Sequence, residues 1–160
     1  MFADSLTSDP AEHRLWNLLH ARDDLTVAAA ESCTGGAVAS RITSVAGSSA
    51  YFRGSVVAYA NDVKADVLGV PRSILDNPGA VSEACARAMA EGARARLGAM
   101  IAVSTTGIAG PDGRTARKPV GLVYIGIASD RGTSVEEHHF TGDRAAVIAA
   151  ATERALALLI

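Results

Sequence analysis

The sequence predicts an α/β protein: a three-layer α/β/α sandwich around a mixed, mainly parallel sheet, finished by a C-terminal hairpin and helix. Three observations lead there. Short apolar runs alternate with helical patterns from the N-terminus to Thr105, two further apolar runs flank the turn residues Asp130-Arg131-Gly132, and a last amphipathic segment follows. The composition is 49% hydrophobic but only 4% aromatic, so Ala, Val, Leu and Ile must pack closely against a sheet. At 160 residues the chain is expected to form one domain around one core.

A polar lead over 1–9, expected to be flexible, precedes Pro10 to Ala21, where Leu15, Leu18, Leu19 and Trp16 mark an amphipathic helix opened by proline. Val27 to Ala30 reads as a buried strand. After Gly35-Gly36, the spacing of Val38, Ile42 and Val45 is helical, and Ala46-Gly47-Ser48-Ser49 closes that segment. Ser55 to Ala60 forms a second strand, and Asn61 is placed to cap a short helix stopped by Gly69 and Pro71. Pro78-Gly79 gives a turn before Ser82, an N-cap for an Ala-rich helix that ends at Leu97-Gly98. Met100 to Thr105 is a third strand, followed by the loop TGIAGPDGRTARKP. Val120–Ala128 and Thr133–Phe140 pair as a hairpin. Asp143 to Ile160 is a helix with Val147, Ile148, Ala151, Leu156 and Leu159 on its apolar face.

Several function classes are disfavoured. Net charge is −2 with no run of Lys or Arg, and aromatics are too few for base stacking, so no nucleic-acid partner is expected. No apolar run approaches the ~18 residues of a membrane span, and the N-terminus lacks a signal-like pattern, which predicts a cytoplasmic protein with no membrane partner. Cys33 and Cys85 lack metal-ligand spacing and are read as thiols. His138 and His139, adjacent on a strand, point to opposite faces, so no metal and no cofactor is expected.

The chemistry concentrates in TVAAAESCTGG, Thr26 to Gly36, where a buried strand breaks into an acid, hydroxyls, a thiol and two glycines. Ser32 falls at a strand-to-helix turn, which lifts its hydroxyl above the sheet edge beside main-chain N–H groups, the arrangement of a nucleophile with an oxyanion hole. The alternative is that Ser32 or Thr34 only caps the helix. Loops also leave the second strand at Tyr59 and Asn61 and the third at Thr106 to Gly113; if the three strands are parallel neighbours, all three loops share one rim. With no histidine at that rim, Lys64 is the leading base, provided burial removes its charge, and Tyr59 is placed to assist. Cys33 is a lower-ranked nucleophile. The oxyanion and substrate contacts are assigned to Cys33, Thr34, Gly35, Gly36, Ser48, Ser49, Thr106, Gly107 and Arg144, with Lys118 as a further cation.

Taken together, ESCTGG (31–36), AGSSAYF (46–52), VVAYANDVKADVLGV (56–70), TTGIAGPDG (105–113), KPVGLVYI (118–125) and FTGDR (140–144) resemble the CinA C-terminal domain family, in order and from the first helix to the end. That family includes stand-alone nicotinamide-nucleotide amidohydrolases. The resemblance implies an amidase that converts nicotinamide mononucleotide and water to nicotinic acid mononucleotide and ammonia. Its serine, tyrosine and lysine match Ser32, Tyr59 and Lys64. A chain of this length has no room for the additional N-terminal domain of fuller CinA proteins. Ala60 and Asp112 stand where many relatives carry serine and glycine, away from the proposed nucleophile and base. A non-catalytic interaction domain in competence or DNA-damage responses is the rival reading, and hydrolysis of another amide or nucleotide a third. Association into a homodimer or higher homo-oligomer is expected.

Overall fold

In the computed structural model the described residues are 9–160, so the polar lead lies outside them except for Asp9. Five strands form one mixed sheet: β1 (Val27–Glu31), β2 (Phe52–Val57), β3 (Ile101–Gly107), β4 (Leu122–Ser129) and β5 (Gly132–His139), in the order β2-β1-β3-β4-β5. β1 lies parallel to both β2 and β3, while β3, β4 and β5 run antiparallel to one another in turn. The sheet is therefore parallel at its centre and ends in the expected hairpin.

Alternation along each strand sends side chains to two separate cores. Val27, Ala29, Val103, Val123 and Ile125 face α1 (Ala11–Leu19), α2 (Ala37–Thr43) and α6 (Arg144–Leu158), meeting Leu15, Leu19, Val38, Ile42, Val147, Ala151 and Leu156. Ala28, Ala30 and Ala102 face the other way, toward α3 (Asn61–Leu68), α4 (Arg72–Asp76) and α5 (Glu83–Leu97), meeting Leu68, Cys85, Met89 and Ala93. Small side chains let those helices come close. A Cβ on Gly92 of α5 would collide with the Leu68 carbonyl oxygen at the end of α3, so only glycine permits this crossing.

Several boundaries differ from the sequence expectation. The second strand is Phe52–Val57, earlier than Ser55–Ala60, because exposed Arg53 and the small residues Gly54 and Ser55 interrupt the apolar run on an edge strand, so that sequence hydrophobicity under-reports it. The third strand runs on through Thr106 and Gly107, which pair with Tyr124 and Val123 and are not loop residues. Asn61 is the first residue of α3 and supplies no side-chain cap, whereas Ser82 caps α5 by accepting the Cys85 N–H and Asp143 caps α6 by accepting the Ala146 N–H. The five-residue helix α4 lies in the stretch between Pro71 and Pro78, to which the sequence pattern assigns no element. Among the described residues no helix is long and apolar enough to cross a membrane.

Candidate active site

The carboxyl ends of β1, β2 and β3 converge on one rim, as an open α/β sheet requires of a ligand site. A cavity of about 280 Å³ opens there, lined by Ser32, Cys33, Tyr59, Asn61, Lys64, Thr106, Gly107 and Arg144 among others. That volume is near the lower end for small-molecule sites, ~300 Å³.

Ser32 is the first residue past β1 and 8% exposed. Its N–H donates to the Thr105 carbonyl on β3 at 2.9 Å and its own carbonyl accepts from the Gly35 N–H at 3.1 Å, so its backbone is fixed on both sides. Among the described residues its hydroxyl has no hydrogen-bond partner, and it is open to the cavity.

Lys64 lies one turn into α3 and is 2% exposed. Its ammonium nitrogen donates to the Tyr59 carbonyl oxygen at 2.9 Å. Among the described residues no carboxylate forms an ion pair with it. Burial pushes its pKa below the usual lysine value, since a charged amine loses its hydration without gaining a counter-charge. The neutral amine can keep its N–H bond to Tyr59 and still present a lone pair.

Tyr59 is 63% exposed, with its hydroxyl held by Arg144 at 3.2 Å and not by Lys64. Arg144, the first residue of α6, also donates to the Gly110 carbonyl at 2.8 Å, tying the loops after β2 and β3 to the last helix. The tyrosine thus meets Lys64 through its main chain and Arg144 through its side chain.

Cys33 is buried, and desolvation raises its thiol to about 11 despite a hydrogen bond with Thr105. A thiolate is disfavoured there at neutral pH.

The solvent-free acid before Ser32 has a role that sequence reading missed. Glu31 is fully buried, and its Oε1 accepts from Thr34 Oγ1 (2.7 Å), Gly36 N (3.2 Å) and Val38 N (2.8 Å), while Oε2 accepts from Ala39 N (3.1 Å) and Ser55 Oγ (2.9 Å). It therefore satisfies the free N–H groups at the start of α2, whose N-cap residue is Gly36, a role the sequence offers to Ser32 or Thr34. Only its place one residue before the turn, and the apolar run that buries it, hinted at this in the sequence.

Residues 9–160 match the CinA C-terminal domain family. The chain belongs to this family. The CinA domain is 52% identical over 141 residues to a CinA-like protein of Geobacter sulfurreducens, covering 88% of this chain and 33% of that protein. The chain spans about a third of the length of the curated relatives it matches. Among solved structures it resembles the competence/damage inducible protein CihA of Agrobacterium tumefaciens (39% identity, TM-score 0.88, covering 94% of each chain). It also resembles a competence-damaged protein (CinA) superfamily protein of Escherichia coli (32% identity, TM-score 0.90, covering 99% of this chain and 92% of that one).

The CinA domain does not bring every expected site residue to the cavity. Ser48 and Ser49 precede β2, and since Phe52 pairs with Val27 they sit at the amino ends of the parallel strands, opposite the Ser32 rim. Gly35 and Gly36 have positive φ and permit the turn, but their N–H groups are bonded to the Ser32 carbonyl and to Glu31 and are not offered to a ligand. Thr34 points its hydroxyl at Glu31 and Thr105. Thr106 lines the cavity with its hydroxyl donating to the Ala80 carbonyl at 2.7 Å, and Gly107 lines it as part of β3. Lys118 donates to the Pro78 carbonyl at 2.6 Å, outside the cavity.

Proposed function

We propose that this CinA domain is a nicotinamide-nucleotide amidohydrolase, turning nicotinamide mononucleotide and water into nicotinic acid mononucleotide and ammonia. One observation carries the reading: a buried lysine without a carboxylate partner shares a small cavity with a serine hydroxyl that has no partner among the described residues. That pairing suits nucleophilic chemistry, because a lysine stripped of hydration gives up its proton more readily and becomes a better base.

In this reading Ser32 Oγ attacks the carboxamide carbon while Lys64, neutral, takes its proton. The same amine hands that proton to the departing nitrogen, and ammonia leaves. Water then adds to the nicotinoyl ester, giving its proton to Lys64, and the carboxylic acid is released as Ser32 is reprotonated. Arg144 uses one donor on Gly110 and one on Tyr59, and a guanidinium has five, so it retains donors for the substrate phosphate. Tyr59 forms the outer wall of the cavity, beside Arg144. The exposed hydroxyl and its single bond to Arg144 are consistent with that role.

The test is ammonia release by the purified protein from nicotinamide mononucleotide, nicotinamide riboside and NAD, with the acid product weighed by mass spectrometry. The expected result is release from the mononucleotide, with the product one mass unit heavier. A folded protein that releases no ammonia from any of the three would leave the domain as an interaction module.

A further inference from the structure

From Ser32 to Ser40 almost every main-chain N–H has an identified acceptor. Ser32 donates to Thr105, Gly35 to Ser32, Ala37 to Thr34 and Ser40 to Gly36, in each case to the carbonyl oxygen. Gly36, Val38 and Ala39 donate to the Glu31 carboxylate. Two are left: among the described residues, the N–H groups of Cys33 and Thr34 have no partner, although both residues are buried. Buried amides without acceptors are rare in folded proteins, and adjacent ones directly after a serine at a cavity floor are rarer.

We infer that Glu31 is a positioning residue that shapes the oxyanion hole, confining it to the Cys33 and Thr34 main-chain N–H groups. This rests on the reading of Ser32 as the nucleophile. The carboxylate absorbs the positive end of α2 from within the protein, so the Gly36, Val38 and Ala39 amides that it holds cannot swing toward the cavity. It also anchors the Thr34 side chain and, through Ser55, the neighbouring strand. The turn is thereby held so that, between Ser32 and Ser40 and among the described residues, the two amides beside Ser32 are the ones left to meet a developing negative oxygen. A hole made this way is fixed before substrate arrives, the condition under which such donors act most strongly.

Glutamine cannot replace Glu31 in this task. It offers one acceptor oxygen and an NH2, so either orientation sets an N–H against an N–H: at Ala39 in one, at Gly36 and Val38 in the other. The turn must shift, and the Cys33 and Thr34 amides with it.

The experiment compares wild type with Glu31→Gln, using steady-state kinetics on nicotinamide mononucleotide and boron NMR titration with phenylboronic acid. The boronic acid adds to Ser32 Oγ, forming a B–O bond while the serine proton passes to the base, and leaves a negative boronate whose oxygen occupies the hole. In Glu31→Gln, kcat and boronate affinity are expected to fall together by about 10²-fold, the effect of a lost oxyanion donor. KM and affinity for nicotinic acid mononucleotide should change by less than about twofold. A merely structural Glu31 would lower Tm and leave the folded variant with wild-type kcat and boronate affinity, which would overturn the inference. If Glu31→Gln does not fold, Ser55→Ala removes a single donor from the same carboxylate. Its boronate affinity should drop about two- to tenfold, and no drop counts against the inference. Wild-type protein that forms no tetrahedral boronate also overturns it. A wild type that binds boronate but releases no ammonia refutes the proposed substrate and leaves the role of Glu31 standing.

Discussion

The two halves of the sheet treat charge in opposite ways. On the parallel half, Glu31 and Lys64 are buried, and among the described residues neither has an ion-pair partner; their neighbours are N–H groups, hydroxyls and carbonyls. On the antiparallel half, Glu136 is bound by Arg154 and His138, and Glu137 by His139 and Tyr124, all within reach of water. A solvated pair screens itself and contributes little either way, whereas a lone buried charge is costly and persists only where neutral groups have been arranged around it. On the proposed reading, the comparison separates residues kept for chemistry or for aligning it from residues that pair with one another at the surface.

The sharpest break in that contrast is Ser32→Ala. It should fold, since the hydroxyl bonds to no described residue, and should lose ammonia release by about 10⁴-fold or more. Substantial turnover by the folded variant would take the serine out of the mechanism. Lys64→Arg comes next. It keeps a donor for the Tyr59 carbonyl but cannot lose its proton, so kcat should fall by about 10²- to 10⁴-fold.

The pH behaviour of Lys64 sharpens the same point. Burial lowers its folded pKa below the unfolded value of about 10.4, so the folded protein loses this proton first as pH rises. Activity should climb through the folded pKa. Between the two values the unfolded chain binds more protons, so this residue's contribution to stability improves with rising pH. Urea titrations of wild type against Lys64→Met should show wild type gaining relative to the variant across that window; parallel pH curves would mean the amine is not desolvated.

Cys33→Ala is expected to retain ammonia release within about threefold, because a thiol held near 11 supplies almost no thiolate at neutral pH. Loss of activity here, combined with its survival in Ser32→Ala, would exchange the two roles. The smallest effect belongs to the other half of the sheet. Arg154→Ala should cost about 1 kcal/mol or less at pH 7, read by thermal unfolding. Glu136 is held at about 2 chiefly by Arg154, well under its usual 4.5, so its contribution is complete above the unfolded value and lost as pH falls through about 2. The difference between wild type and Arg154→Ala should therefore close in acid.

Much of the architecture was readable because local signals agreed with one another. Ser82 announced the start of α5 and Gly98 its end, and Asp143 marked where the α6 segment begins. The premise that three strands run parallel as neighbours was enough to gather Ser32, Tyr59 and Lys64 at one cavity. What escaped depends on partners distant in sequence or on which end of the sheet a loop occupies. Glu31 gives no sign of its bond to Ser55, 24 residues on, nor Tyr59 of its bond to Arg144, 85 residues on. Ser48 and Ser49 looked like substrate ligands by composition, yet the chain had already crossed to the far end of β2 before reaching them. Gly35 and Gly36 were recognisable as turn-formers, while the occupation of their N–H groups depended on a side chain folding back beneath them.

On the proposed reading, Gly92 is a remote point of failure for the reaction. Leu68, which it touches, follows Lys64 by one helical turn, about 6 Å along the axis of α3. One added methyl on α5 would wedge the two helices apart, and the amine would be carried off its perch while every group that meets the substrate kept its identity. If the proposed activity holds, its inherited loss can thus arise on the side of a helix that no ligand ever sees.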